Sequence, residues 1–102
     1  MKFTHEDYES TVREALLHFS PFRDQTDLTE DERDHTIQIA MSILMTKDKF
    51  QIGGGFVHAV INNDLKGAFD RGDLTMHKVM RTMVWVNDYL RVKKFSPKYE
   101  KL

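Results

Sequence analysis

Gly53-Gly54-Gly55-Phe56 runs directly into Val57-His58-Ala59-Val60-Ile61-Asn62-Asn63-Asp64-Leu65. A glycine loop feeding a periodic apolar segment reads as a helix start, and the pattern continues to Asp70-Arg71-Gly72-Asp73. Phe56, Val57, Val60, Ile61, Leu65, Ala68 and Phe69 make a broad apolar face at helical spacing. The spacing predicts one helix from Phe56 to Arg71, stopped by Gly72 and central to the fold. Ala59, Asn63 and Gly67 fall four apart along one edge, where small side chains let a second helix approach closely. A glycine inside a helix costs ~1 kcal/mol relative to alanine, so Gly67 is expected to have a packing reason.

Outward from this unit, three more helices are expected. Thr4 is an N-cap candidate with Glu6 and Asp7 in the first turn, and Tyr8, Val12, Ala15, Leu16 and Phe19 recur at helical spacing. That helix spans about Glu6 to Phe19, and Ser20-Pro21 ends it. Phe22 is expected to tuck its ring against the core. Thr29-Glu30-Asp31-Glu32 fits a capping box and opens a helix of about Glu30 to Thr46. Its second half, Ile37 to Met45, is apolar on nearly all sides, which predicts burial all round and hints at a central position or a subunit interface. Residues 46–55 read as a loop. Asp73 or Thr75 caps a last helix of about Leu74 to Val92, with Val79, Met80, Met83, Val86 and Leu90 on its core stripe and Trp85 and Tyr89 beyond it. The fold class is therefore all-α: a compact bundle of about four helices, forming one domain over 1–94 with a loose basic tail over 95–102. A homo-oligomer, at least a dimer, is expected from the excess apolar surface.

Lysine and arginine number 15 against 16 acids, for a formal charge of −1. That balance supplies no drive toward nucleic acid or an anionic membrane. The chain has no cysteine, which removes disulfides, Cys-ligated zinc and thiol catalysis. The N-terminus carries no apolar stretch of the signal-peptide kind and no run approaches a membrane span, so cytoplasmic residence is the expectation.

The candidate chemistry is ligand binding. Glycines before a helix leave backbone N–H groups open at its positive end, which suits a phosphate or carboxylate. The competing account is a tight loop that lets the helix pack close to its neighbour. Neither a preceding strand nor a Gly-Lys-Ser/Thr sequence accompanies the run, so no nucleotide-fold motif is complete. Gly54, Gly55 and Phe56 are the candidate anion contacts, with Arg71 or Lys49 as counter-charge and Asn63 as a polar contact. The competing account of Arg71 is a side-chain bridge to Asp64, two turns away on the same face, that braces the fold. Phe56 either stacks on a base or points inward as the first core residue of its helix. Asn62-Asn63-Asp64 lines a pocket or a subunit seam, because asparagine suits a helix interior poorly. Arg71-Gly72-Asp73 reads as a helix stop followed by a cap. Glu32 and His35 form one Glu-x-x-His, short of the set a di-metal bundle requires. No nucleophile elbow or paired acid is present, and no enzyme activity, metal or cofactor is expected.

Gly54-Gly55-Phe56-Val57, Ala59-Val60, Asn63-Asp64-Leu65, Ala68 and Arg71-Gly72-Asp73 resemble a pattern of small uncharacterised helical proteins of phages and mobile elements. The resemblance covers about one fifth of the chain and transfers no residue role. It implies a phage-type accessory protein, often one that counters host defence. Two functions are compatible with that context: sequestration of an anionic nucleotide-type signal molecule, or inhibition of a host defence protein by surface contact alone.

Overall fold

The computed structural model describes residues 3–92, so the expected basic tail over 95–102 lies outside the described residues. Among the described residues the chain is all-helical, with seven helical segments rather than four. They are α1 (His5–Leu17), α2 (Ser20–Arg23), α3 (Glu30–Lys47), α4 (Gly55–Ile61), α5 (Leu65–Arg71), α6 (Leu74–Lys78) and α7 (Met80–Tyr89). Two of the expected long helices are each broken once, at Asn62–Asp64 and at Val79.

The central element is α3, not the helix that follows the glycines. It contacts α1, α4, α6 and α7. Ala40, Met41 and Ile43 on it are completely enclosed. Its all-round apolar character is thus answered within one chain, by helices on several sides. Tyr8, Val12 and Leu16 of α1, Phe56, Val57 and Val60 of α4, Met76 of α6, Val79 at the break, and Met83 and Val86 of α7 share this core. Phe22 is buried as expected.

Local chemistry fixes both long helices. Thr4 and Thr29 each form a full capping box, with Asp7 and Glu32 returning the bond to the cap amide. Each box satisfies two backbone donors that a helix start otherwise leaves open. After α1, Arg33 reaches from α3 to α2. It donates to the carbonyls of Phe22 and Gln25 and lies over the Phe22 ring, 4.9 Å from its centroid. The guanidinium therefore closes the C-terminus of a four-residue helix that could not stand alone. Tyr8 stacks on Phe50 and donates to Asp48 at 2.8 Å, tying α1 to the end of α3. Burial, with the Asp48 bond second, pushes the phenol up to about 12.

Glu32 and His35 do not act together. His35 meets Asp73, the cap of α6, at 2.8 Å. Glu32 accepts from the Thr29 amide, from Lys78 at 3.0 Å and from Thr75 at 3.2 Å. The Thr29 bond first, and Lys78 second, hold its carboxyl down at about 2, against an ordinary 4.5. As pH falls from about 4.5 toward about 2, the unfolded chain takes up a proton at this position while the folded one does not. The contribution of Glu32 is therefore complete above that window and lost across it. In acid titrations followed by helical circular dichroism, Glu32→Gln is expected to flatten this part of the stability profile. An unchanged profile would mean that the bonds to Glu32 do not distinguish the folded state.

Candidate functional site

Asn62, Asn63 and Asp64 form an elbow. Asn62 is the C-cap of α4, Asn63 takes a left-handed conformation with φ 58°, and Asp64 is the N-cap of α5. The Asn63 amide donates to Val60 O and the Asp64 amide to Ala59 O, the paired bonds of a Schellman stop. Asp64 Oδ1 then accepts from the Gly67 amide at 3.0 Å. One helix stops and the next starts with no residue wasted between them. The elbow corrects the expected continuous helix from Phe56 to Arg71 and removes the common edge of Ala59, Asn63 and Gly67.

The elbow folds α5 back on α4 and so brings Arg71 to Gly55. A β-carbon on Gly55 would come within 2.8 Å of Arg71 Cδ and 3.2 Å of Nε. In an unbroken helix, sixteen residues of separation would hold them about 24 Å apart. Farther along, Arg71 Nη1 and the Asp64 carboxylate both lie against Gly67, where an added β-carbon would meet them. Gly67 thus has its packing reason, but the neighbours are these two polar side chains. Among the described residues, Arg71 forms no ion pair.

The three glycines have different surroundings. Gly53 lies 2.8 Å, at its missing β-carbon, from both Thr46 Oγ1 and Val57 Cγ1, so it seats the loop against α3 and α4. That is the tight-loop account, realised at one glycine. Gly54 is the N-cap of α4, supplies no side-chain cap, and faces open space. Gly55 makes room for Arg71. The amides of Gly55, Phe56 and Val57 precede the first bond within the helix, from the His58 amide to Gly54 O. Since α4 has only seven residues, its dipole is small, and the charge at this end comes from Arg71.

Gly54, Gly55, the Phe56 backbone and Arg71 therefore come together. The Phe56 ring does not join them. It is 9% exposed, and its edge would lie 2.9 Å from a β-carbon on Gly72. Of the two readings of Phe56, the inward one holds. Asn63 stands at the far end of α4, on the elbow. Lys49 follows the Asp48 cap of α3 with a left-handed φ of 61°, and the Phe50 amide to Met45 O bond closes a second Schellman stop there. No ion pair or hydrogen bond brings the Lys49 side chain to the Arg71 cluster among the described residues. Arg71-Gly72-Asp73 does serve as stop and cap: Gly72 ends α5, and Asp73 accepts from the Met76 amide at 2.9 Å.

A cleft of about 180 Å³ opens on the inner side of the elbow, against α7. Asn63, Asp64, Leu65, Val84 and Asn87 line it, together with small and apolar residues of α4, α5 and α7. Asn87 is 7% exposed, and its Nδ2 donates to Val60 O at 3.2 Å. Its Oδ1 is buried without a partner. A buried acceptor left open typically costs about 1–3 kcal/mol. Sequence reasoning did not single out Asn87. The one signal was a strong polar group next to Val86, inside the core stripe of the last helix.

Among the described residues, no helix is long and apolar enough to cross a membrane. Compared with known proteins, the chain matches no family model, no curated protein and no solved structure.

Proposed function

We propose that this protein is a non-enzymatic binding protein that holds an anionic, nucleotide-type small molecule at the open end of the α4–α5 elbow. The observation that carries the reading is the Arg71 side chain lying across Gly55, beside the uncapped start of α4. The guanidinium, with the Asp64 carboxylate beside only its Nη1 end at Gly67, and three backbone donors on one side form a donor set for a phosphate. Gly54 leaves the approach clear. The resemblance to phage accessory proteins adds the role: sequestering a signal molecule in the host cytoplasm without turning it over.

The test is a thermal-shift screen with linear and cyclic nucleotides. A compound at 100 times its dissociation constant stabilises the native state by ~2.7 kcal/mol. For a domain of this size that raises the midpoint on the order of ten degrees. Arg71→Ala is expected to abolish the shift while leaving the unliganded midpoint nearly intact, since Arg71 is exposed; a lowered midpoint with full affinity would mean that it braces Asp64 instead. Lys49→Gly separates the second candidate: glycine relieves the left-handed strain, so stability rises by up to ~1 kcal/mol, and affinity falls only if the ammonium touches the ligand. Full affinity retained in Arg71→Ala would reject the site.

A second reading rests on exposed apolar side chains. Leu65, Leu74 and Tyr89 are 61, 73 and 73% exposed, apolar side chains available for self-association or for contact with a host defence protein. A monomeric mass by light scattering, with no response to any nucleotide, would move the weight to surface inhibition.

A further inference from the structure

We propose that Asn62-Asn63-Asp64 is a domain-swapping hinge: straightened into one continuous helix, it sends α5–α7 of each chain onto α1–α4 of a second copy. The inference concerns assembly and needs no ligand.

The fold itself names the occupant. The elbow divides the chain into α1–α4, built around α3, and α5–α7, three short helices. Met76, Val79, Met83 and Val86 of the second half share one core with α3. Polar bonds also join the halves, among them Lys78 to Glu32, His35 to Asp73, and Lys47 to the Asn87 carbonyl. None of these contacts involves a hinge residue. A second copy offers every one of them again, so the exchange leaves no core surface uncovered. Exchanging an identical element between copies is a low-cost route to a dimer.

The hinge is built to open. Asn63 is held at φ 58°, a left-handed conformation that strains a residue with a side chain. A short hinge under strain invites swapping. Asn62, Asn63 and Asp64 are all exposed, so no side-chain burial holds the turn. The apolar spacing runs on as one helix from Phe56 to Arg71, and no proline interrupts it. Against opening stands the poor helix propensity of asparagine and aspartate, which keeps the closed turn available. The two states are therefore close in free energy.

The closed chain also sets the register of the open one. Arg71 lies on Gly55. Between two straightened, antiparallel helices, the same contact puts Asn63 opposite Asn63 on the two-fold axis. Asn62 then faces Asp64, and Ala59 faces Gly67. Gly55, Ala59, Asn63, Gly67 and Arg71 are four apart and make one ridge of the straightened helix. Its small residues let the two helices close on each other. A carboxamide both donates and accepts, so the two asparagines pair reciprocally. A buried asparagine in such a place fixes the register of paired helices. Each Gly55–Arg71 contact is then made by two chains.

The experiment uses the full chain, refolded from urea at high concentration so that the hinge opens, and reads mass by light scattering over a dilution series. Asn63→Ala disfavours the left-handed turn and favours the continuous helix. It is expected to tighten dimerisation about a hundredfold, a factor of about ten from each of two hinges. Asn63→Gly enters the left-handed region freely and is expected to weaken it. A cross-link identifies the exchange. The chain has no cysteine, so Gly55→Cys and Arg71→Cys are placed on separate chains and refolded together. A swapped dimer brings the two thiols to one site and leaves a natural Gly55–Arg71 pair at the other, and mild oxidation yields a linked heterodimer. An unswapped dimer keeps the thiols apart and yields none. The link, with dimer stability rising from Asn63→Gly through the natural chain to Asn63→Ala, upholds the hinge. A dimer without the link, or a folded Asn63→Ala that stays monomeric at every concentration, overturns it. Should Asn63→Ala not fold, the cross-link decides alone, since both of its chains keep the natural hinge.

Discussion

Phe56→Ala is expected to destabilise the protein by about 3–5 kcal/mol, the usual cost of emptying a buried aromatic site. Single domains have only about 5–15 kcal/mol in total, so much of the margin goes with this one ring. The expectation follows from where the ring lies. It is 9% exposed and closes against Gly72, where an added β-carbon would meet Phe56 at 2.9 Å and the Ala68 carbonyl at 2.9 Å. The ring therefore locks the start of α4 to the end of α5, the two segments that carry the proposed anion site. Urea unfolding gives the measurement: the midpoint should fall sharply while the slope is kept. Phe56→Leu, which retains most of the apolar volume, should lose far less. A loss below about 1 kcal/mol in Phe56→Ala would place the ring outside the core, since surface changes stay within ±0.5 kcal/mol. The result also governs how binding data are read. Loss of ligand in Phe56→Ala reports a collapsed elbow and not a missing stacking partner.

The helix starts were legible because capping chemistry is local. Thr4 and Thr29 announce their helices within four residues, and both boxes form. The central position of α3 was partly legible: its apolar run predicted burial on all sides, but the covering came from other helices of the same chain. The break at Val79 had no local sign. No glycine or proline stands there, and the core spacing runs straight through from Met76 to Met83. Only the tertiary arrangement distinguishes two helices from one.

The candidate site was half legible for a related reason. Arg71 and the glycines were chosen for their chemistry, which the sequence displays. What joins them is the elbow, and the apolar spacing of Val60, Ile61, Leu65 and Ala68 hid it by continuing across the break. Asn62-Asn63-Asp64 carried the contrary signal, since asparagine accepts left-handed backbone and aspartate caps helix starts. Asn87 was illegible because its importance lies in a missing partner for Oδ1, and that depends on what the fold puts around it.

Replacements at Asn63 are expected to rank in an order that only the elbow produces. With φ 58° at this position, Asn63→Gly should be neutral or slightly stabilising, because glycine enters the left-handed region freely. Asn63→Ala should cost about 1–2 kcal/mol, the strain of holding an ordinary side chain there. Asn63→Pro should cost about 3 kcal/mol or more. It forces φ to the wrong sign and removes the amide that donates to Val60 O. In a continuous helix the first two would exchange places: alanine would stabilise by several tenths of a kcal/mol and glycine would destabilise. Thermal or urea unfolding of the three variants reads the order directly, and alanine above glycine would reject the elbow. The functional consequence follows from geometry. Because the turn at Asn63 is what carries Arg71 back to Gly55, Asn63→Pro should also weaken any nucleotide that binds there, at temperatures where the rest of the chain is still folded. Asn63→Gly should leave that affinity in place.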